Sequence, residues 1–257
     1  MESQLVELDK QQLSKFRRLL VIGDLHGDYD SFRSLLHVAD PAKDCLIFLG
    51  DYGDRGAFGM EIIDALSRLR ESKPLNIVLL RGNHEDYSES GEPNFYPSTL
   101  PDEVYRKNGI WSEYFEKTLK SFLRDLNLAA IVPENLLFVH GGISSRIRSQ
   151  DDLKHPTDAV KTDVLWSDPF EGQGEKPNAN RGAGVEFGFD VTSIVSEKLG
   201  IKKIVRSHEP QKASKGPYYM HHRQVITVSS TRVYGGCPFA LVINPSNLMR
   251  FYSIRLP

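Results

Sequence analysis

From Leu19 onward, short apolar runs alternate with stretches whose apolar residues recur every three or four positions. The runs Leu19–Gly23, Cys45–Leu49 and Ile77–Leu80 are predicted as strands. Between the first two, Phe32, Leu35, Leu36 and Ala39 share one face of a helix over Ser31–Ala39. Asp30 is its expected N-cap and Pro41 follows its end. Met60–Arg70 is a second helix, with Ile62, Ile63, Leu66 and Leu69 on one side. This βαβα order predicts a largely parallel sheet in the first third, helices on its faces, and ligands at the carboxyl ends of its strands.

Residues 85–108 are polar and rich in Pro, Ser and Glu, and read as an irregular excursion. Trp111–Leu126 has helical spacing, Leu136–Val139 is a strand, and residues 172–184 form another loop. After a helix over Val191–Leu199, stopped by Gly200, four strands are predicted: Lys203–Arg206, Val225–Ser229, Phe239–Ile243 and Leu248–Ile254. They are expected to pair antiparallel and to build a second sheet stacked on the first. The fold class is therefore α/β, with two stacked mixed sheets flanked by helices.

Composition narrows the class without changing this picture. The chain has 257 residues, 40% of them hydrophobic and 26% charged, and shows no compositional break, so one domain over 1–257 is expected, with 1–16 as an N-terminal extension. A net charge of -2 provides no long-range field for nucleic acid or anionic membrane, so neither is an expected partner. Cys45 and Cys237 are too few for a disulfide framework, and no run of 18 apolar residues occurs. A reducing, cytoplasmic setting is expected.

Chemistry gathers at the strand ends. The first strand leads into Gly23-Asp24-Leu25-His26-Gly27, whose i, i+2 pair places a carboxylate and an imidazole on one side of extended chain. The second leads into Gly50-Asp51-Tyr52-Gly53-Asp54-Arg55-Gly56, and the third into Arg81-Gly82-Asn83-His84-Glu85. His140-Gly141-Gly142 and Arg206-Ser207-His208-Glu209 follow two later strands. Taken singly, each of these residues is as well explained as a loop residue or a cap. Together they converge as an oxygen and nitrogen set without thiolate, which suits catalytic Mn, Fe or Zn and not a structural zinc knot. His37, His155, His221 and His222 lack such a setting and are expected to be surface or core residues.

The signatures Gly-Asp-x-His-Gly, Gly-Asp-x-x-Asp-Arg-Gly and Gly-Asn-His-Glu resemble those of the phosphoprotein phosphatases of the type 1, type 2A and calcineurin kind, within the calcineurin-like metallophosphoesterases. The resemblance continues through residues 128–132, Val139–Ile143, Leu165-Trp166-Ser167-Asp168-Pro169, Asn180–Gly184 and Arg206–Glu209. It implies a four-layer αββα sandwich with two divalent ions, manganese first and iron or zinc as alternatives. It implies a first metal on Asp24, His26 and Asp51, and a second on Asp51, Asn83, His140 and His208. The implied reaction is hydrolysis of phosphoserine and phosphothreonine in proteins by in-line attack of a metal-bridging hydroxide. His84 would be the general acid, assisted by Asp54; Arg55, Arg181, Asn83 and Tyr234 would bind phosphate.

The chain departs from the family pattern in two places. Ser230-Thr231-Arg232-Val233-Tyr234 replaces Ser-Ala-Pro-Asn-Tyr, losing the turn that positions the tyrosine and introducing Arg232 as a candidate substrate contact. Residues 85–108 do not follow the family's usual helical sequence and are expected to shape substrate access. With no long tail after the final strand, a nearly bare catalytic domain without an evident regulatory subunit is expected. Two rival functions share these residues: a dinucleoside polyphosphate hydrolase of the symmetrical type, and a non-catalytic phosphopeptide-binding module. The second is disfavoured because every ligand position, Asp54 and His84 are retained. A cysteine-dependent phosphatase is disfavoured because neither cysteine lies in a Cys-x5-Arg loop.

Overall fold

The computed structural model describes residues 3–73 and 75–256. In chain order, β1 (Leu5–Glu7) and α1 (Lys10–Leu13) precede β2 (Arg18–Ile22), α2 (Tyr29–Val38), β3 (Asp44–Phe48), α3 (Gly59–Ser72) and β4 (Ile77–Leu79). Next come α4 (Leu100–Arg106) and α5 (Trp111–Tyr114), the latter continued by a π-helical turn (Phe115–Leu119) into α6 (Lys120–Arg124). A hairpin of β5 (Ala129–Val132) and β6 (Leu136–Val139) leads to α7 (Asp151–Lys154), α8 (Asp158–Trp166), β7 (Asp168–Pro169), β8 (Glu175–Pro177) and β9 (Val185–Phe187). The chain then runs through α9 (Phe189–Leu199), β10 (Lys203–Arg206), β11 (Tyr218–Met220), β12 (Val225–Thr227), β13 (Phe239–Asn244) and β14 (Asn247–Arg255).

The strands form one sheet ordered β14-β13-β2-β3-β4 and another ordered β1-β5-β6-β10-β12-β11, with a small sheet β7-β9-β8 beside them. As expected, β2, β3 and β4 run parallel, with Leu20 opposite Leu46 and Ile47 opposite Val78. Alternation along the strands sorts side chains into layers. Leu20, Ile22, Leu46 and Phe48 pack against Phe32, Leu35, Ile62 and Leu66 of α2 and α3. Leu19, Val21, Cys45 and Ile47 meet Ala130, Phe138, Val205 and Ile226 of the facing sheet. Ile131, Leu137, Val139 and Ile204 pack under Val160, Val164, Val191 and Val195 of α8 and α9. The result is the expected sequence of helix, sheet, sheet and helix layers.

Several local expectations are corrected. The cap of α2 is Asp28, not Asp30: its carboxylate accepts from the Ser31 backbone N–H and hydroxyl, so the helix begins two residues early. The last strands are not uniformly antiparallel. β10 lies parallel to both β6 and β12, because helices and long loops intervene, and the tight connection between β13 and β14 makes an antiparallel pair. Residues 172–184 contain β8, which pairs with β9 in the small sheet. The stretch 85–108 is also not free of structure, since it contains α4 with Leu100, Glu103 and Val104 buried. No helix among the described residues is long and apolar enough to cross a membrane.

Candidate metal centre

The turns after β2, β3, β4, β6 and β10 converge on one edge, and all but the fully buried turn after β6 line a cleft of about 780 Å³. Bringing them together costs backbone strain. His26, Asp51, Asp54, Arg55 and His208 all adopt left-handed φ values between 47° and 70°, each costing of order 1 kcal/mol or more for a residue with a side chain. A backbone lattice compensates. The N–H groups of Leu25 and His26 both donate to the Asp51 carbonyl, and Gly56 N–H donates to the His26 carbonyl. Glu85 accepts from the N–H groups of Asp51, Tyr52 and Gly82, at 2.8, 2.9 and 2.9 Å. Gly82 cannot be larger here, because a Cβ would collide with Asp51 Oδ1.

The six expected ligand residues come together, all of them buried. Asp51 lies between two histidines: Oδ2 is 3.4 Å from His26 Nε2, and Oδ1 is 3.4 Å from His140 Nε2. Asp24 Oδ2 lies 3.9 Å from His26 Nε2, and Asn83 Oδ1 lies 2.9 Å from His140 Nε2. The His140 and His208 rings are 5.0 Å apart.

The donor set fits divalent ions. Each of these histidines has Nδ1 engaged away from the centre: His26 on the Gly53 carbonyl at 3.2 Å, His140 on the Leu49 carbonyl at 2.9 Å and His208 on Asp168 at 3.2 Å. That pattern presents Nε2 as the coordinating atom. Asp24 Oδ2 and His208 Nε2 are buried without a hydrogen-bond partner, as atoms reserved for a ligand would be. His26, Asp51 and His84 form one group whose ligating atoms lie within 4.8 Å of one another, and Asp24, Asp51 and His140 form a second.

Charge in the bare protein follows from burial and neighbours. Burial, with the repulsion of Asp24 and Glu85, holds the Asp51 carboxyl well above the usual range. Burial pushes Asp24 upward too, but His140, His26 and the Ser207 hydroxyl outweigh it and hold Asp24 low. Burial lowers His26 to about 4, and lowers His140 and His208 as well, so all three imidazoles are neutral ligands at neutral pH.

Around this centre, His84 Nδ1 is 2.8 Å from Asp54 Oδ2, which leaves Nε2 free on the cleft side. Arg55 lines the cleft with its Nε buried and unpartnered. Arg181 also lines it, held in place by Nε on Asp168 at 2.9 Å and Nη2 on the His208 carbonyl at 2.7 Å. Tyr234 reaches the site despite its altered loop, its hydroxyl 3.4 Å from His26 Nε2, within a turn closed by the Gly235 N–H donating to the Arg232 carbonyl at 2.8 Å. Burial raises its phenol to about 12, so it remains a donor. Arg232, the candidate substrate contact, is not among the residues that line the cleft. Its N–H donates to Asp28 and its Nε to Ser31, tying the loop to the start of α2.

Sequence reasoning passed over four residues. Glu85 carries the backbone lattice described above. Asp168 joins His208, Arg181, Arg206 and Asn178. Arg206 is fully buried and donates to Gly141, Asp168 and Glu209. Ser207 donates its hydroxyl to Asp24. All four stood inside quoted motifs, yet nothing local distinguishes a supporting residue from a loop residue. His221 is a core histidine as expected, bonded to Thr192 and to the Phe170 carbonyl.

The chain is 33% identical over 222 residues to a serine/threonine-protein phosphatase of Caenorhabditis elegans, covering 83% of this chain and 47% of that protein. It is 34% identical over 239 residues to a probable serine/threonine-protein phosphatase of Encephalitozoon cuniculi, covering 89% and 50%. The chain thus spans about half the length of the curated relatives it matches. Among solved structures, a protein serine/threonine phosphatase from Saccharomyces cerevisiae superposes with a TM-score of 0.82 at 24% identity over 99% of this chain and 84% of that one. A putative diadenosine tetraphosphatase gives 0.59 at 17% over 99% and 98%. These two likenesses speak to the fold. Residues 17–212 match the family described as calcineurin-like phosphoesterase, and the chain belongs to that family.

Proposed function

We propose that the protein is a metal-dependent phosphatase that hydrolyses phosphoserine and phosphothreonine monoesters in proteins. The observation that carries this reading is the pairing of His84 with Asp54 at 2.8 Å beside the buried Asp, His and Asn cluster. The names of the two curated relatives support the substrate class. Asp24, His26 and Asp51 would hold one divalent ion, and Asp51, Asn83, His140 and His208 a second, with manganese the first candidate. Ions bound there supply positive charge to phosphoryl oxygens and acidify water, so that a nucleophile exists at neutral pH.

The chain's own groups do the rest. Asn83 contributes a neutral amide where a carboxylate would repel the phosphate dianion. Arg55 and Arg181 flank the cleft as planar donors able to grip phosphoryl oxygens, and Arg181 keeps Nη1 uncommitted among the described residues. Asp54 orients the His84 ring through Nδ1, and the Nε2 proton passes to the serine or threonine oxygen as the P–O bond breaks.

The deciding assay sets a phosphoserine peptide beside diadenosine tetraphosphate, using protein stripped with chelator and reloaded with Mn. Metal-dependent turnover of the peptide that requires Asp51 and His84 supports the proposal. Turnover of the dinucleotide alone would transfer the same centre to polyphosphate hydrolysis, and peptide binding without turnover would favour a binding module.

A further inference from the structure

Residues 95–100 lie in the segment that the sequence reads as an irregular excursion, yet they touch the His84–Asp54 pair at three points. Phe95 is buried at 7% exposure, with its ring centroid 4.6 Å from that of His84 at an interplanar angle of 50°. The N–H groups of Thr99 and Leu100 both donate to Asp54 Oδ1, the oxygen not used by His84. The Thr99 hydroxyl accepts from the Arg55 N–H at 2.8 Å. The His84 ring also lies 4.9 Å from that of His26, nearly perpendicular to it at 89°. Its plane is therefore set by two rings and its azimuth by one carboxylate.

The segment has its own anchors. Tyr87 stacks edge-on to Phe95 at 5.2 Å and tilts against Trp111 and Phe115 at 5.7 and 6.1 Å. Trp111 Nε1 donates to the Gly91 carbonyl, and Gly91, at φ 84°, lies directly on the Phe115 ring. Asp86 pairs with Lys161 of α8 at 2.5 Å. An aromatic ladder thus runs from α5 and the π-turn through Tyr87 and Phe95 to the His84 ring.

We propose that Phe95 is a positioning residue for proton donation by His84, holding the imidazole so that Nε2 faces the departing oxygen. The inference rests on the proton-donor reading of His84 and adds to it a residue that touches neither metal nor phosphate. It also assigns residues 95–100 to building the site, in addition to any part they play in walling its cleft.

Leaving-group dependence tests it on the Mn-loaded full chain. A serine alkoxide needs a proton to depart, whereas p-nitrophenolate leaves without one. Phe95→Leu keeps apolar bulk and loses the flat face. It is expected to lower kcat on a phosphoserine peptide roughly ten- to a hundredfold while KM and p-nitrophenyl phosphate turnover stay within about twofold. Phe95→Tyr, which keeps the face, is expected to restore most of the loss. Equal slowing on both substrates by a Phe95→Leu protein that melts like wild type, or no slowing on either, overturns the proposal. His84→Asn separates the two readings. If it slows both substrates alike, the proton-donor assignment fails; if it is selective for the peptide and Phe95→Leu is not, only the positioning role fails.

Discussion

β3 begins at Asp44 and runs out into Asp51, and both carboxylates are buried, at 0% and 2% exposure. Asp44 accepts from Arg17 Nε and Nη2 at 2.9 and 2.7 Å, from Arg18, and from the Asp40 N–H. Burial acts to raise its pKa, but these donors hold it below the ordinary value. Asp51 has no lysine or arginine at ion-pair distance among the described residues, accepts only the His84 N–H, and is pushed well above the ordinary value by burial and by Asp24 and Glu85. One strand thus carries a satisfied carboxylate at its start and an unsatisfied one at its end. A fold keeps an unpaired buried charge where a ligand is to pair it, and pays for it with cohesion elsewhere.

The largest expected break in this comparison is kinetic. Asp51→Asn should lower kcat/KM on a phosphoserine peptide by about 10³ or more, because it removes charge from both proposed metal sites. Metal analysis of the purified variant should show reduced occupancy. The same substitution should leave metal-free protein at neutral pH at least as stable as wild type in urea, since it removes a carboxyl whose ionisation the folded state opposes and the unfolded state permits. A metal-free Asp51→Asn protein less stable than wild type would contradict the contrast.

A middle-sized effect is expected at the phosphate-facing cation. Arg55→Lys should lose roughly ten- to a hundredfold in kcat/KM, the worth of a bidentate charged contact reduced to a point charge. Unchanged steady-state kinetics would remove Arg55 from the phosphate site.

Asp44→Asn should do the reverse of Asp51→Asn. It should cost about 2 kcal/mol in chemical denaturation, toward the low end for a buried pair because Arg17 is half-exposed, with kcat and KM per folded molecule unchanged. The smallest effect is in pH dependence. The folded-state pKa of Asp44 is depressed, so its stabilising contribution is complete above the unfolded value near 3.8 and disappears as pH falls through the folded value. Below about pH 4, wild type should therefore lose stability more steeply than Asp44→Asn. Parallel acid profiles would show that the arginines do not hold this carboxylate.

Much of the centre was legible because its ligands stand in short motifs, each at the end of an apolar strand. The convergence of Asp24, His26, Asp51, Asn83, His140 and His208 needed only the rule that parallel strands deliver their carboxyl ends to one edge. Their selection as candidate ligands, as distinct from Asp54 and His84, came from the family resemblance. The fold class followed from the alternation of continuous apolar runs with helical spacing over β2 through β4. The parallel setting of β10 was not legible, since a strand's own pattern does not record its neighbour's direction. The bonds of Arg232 to Asp28 and Ser31 were not legible either, since those partners lie some two hundred residues away in sequence.

The order of elements, the layers and the chemical types gathered at one edge were determined by the sequence itself, because periodicity and strand-end motifs are local properties of the chain. The supporting contacts were decided only by the tertiary structure. Glu85 reaches back to Asp51 and Tyr52, Asp168 gathers His208, Arg181 and Arg206, and Phe95 lies on His84. A carboxylate or ring becomes a positioning group through distance and burial, and these exist only once segments remote in sequence have packed together.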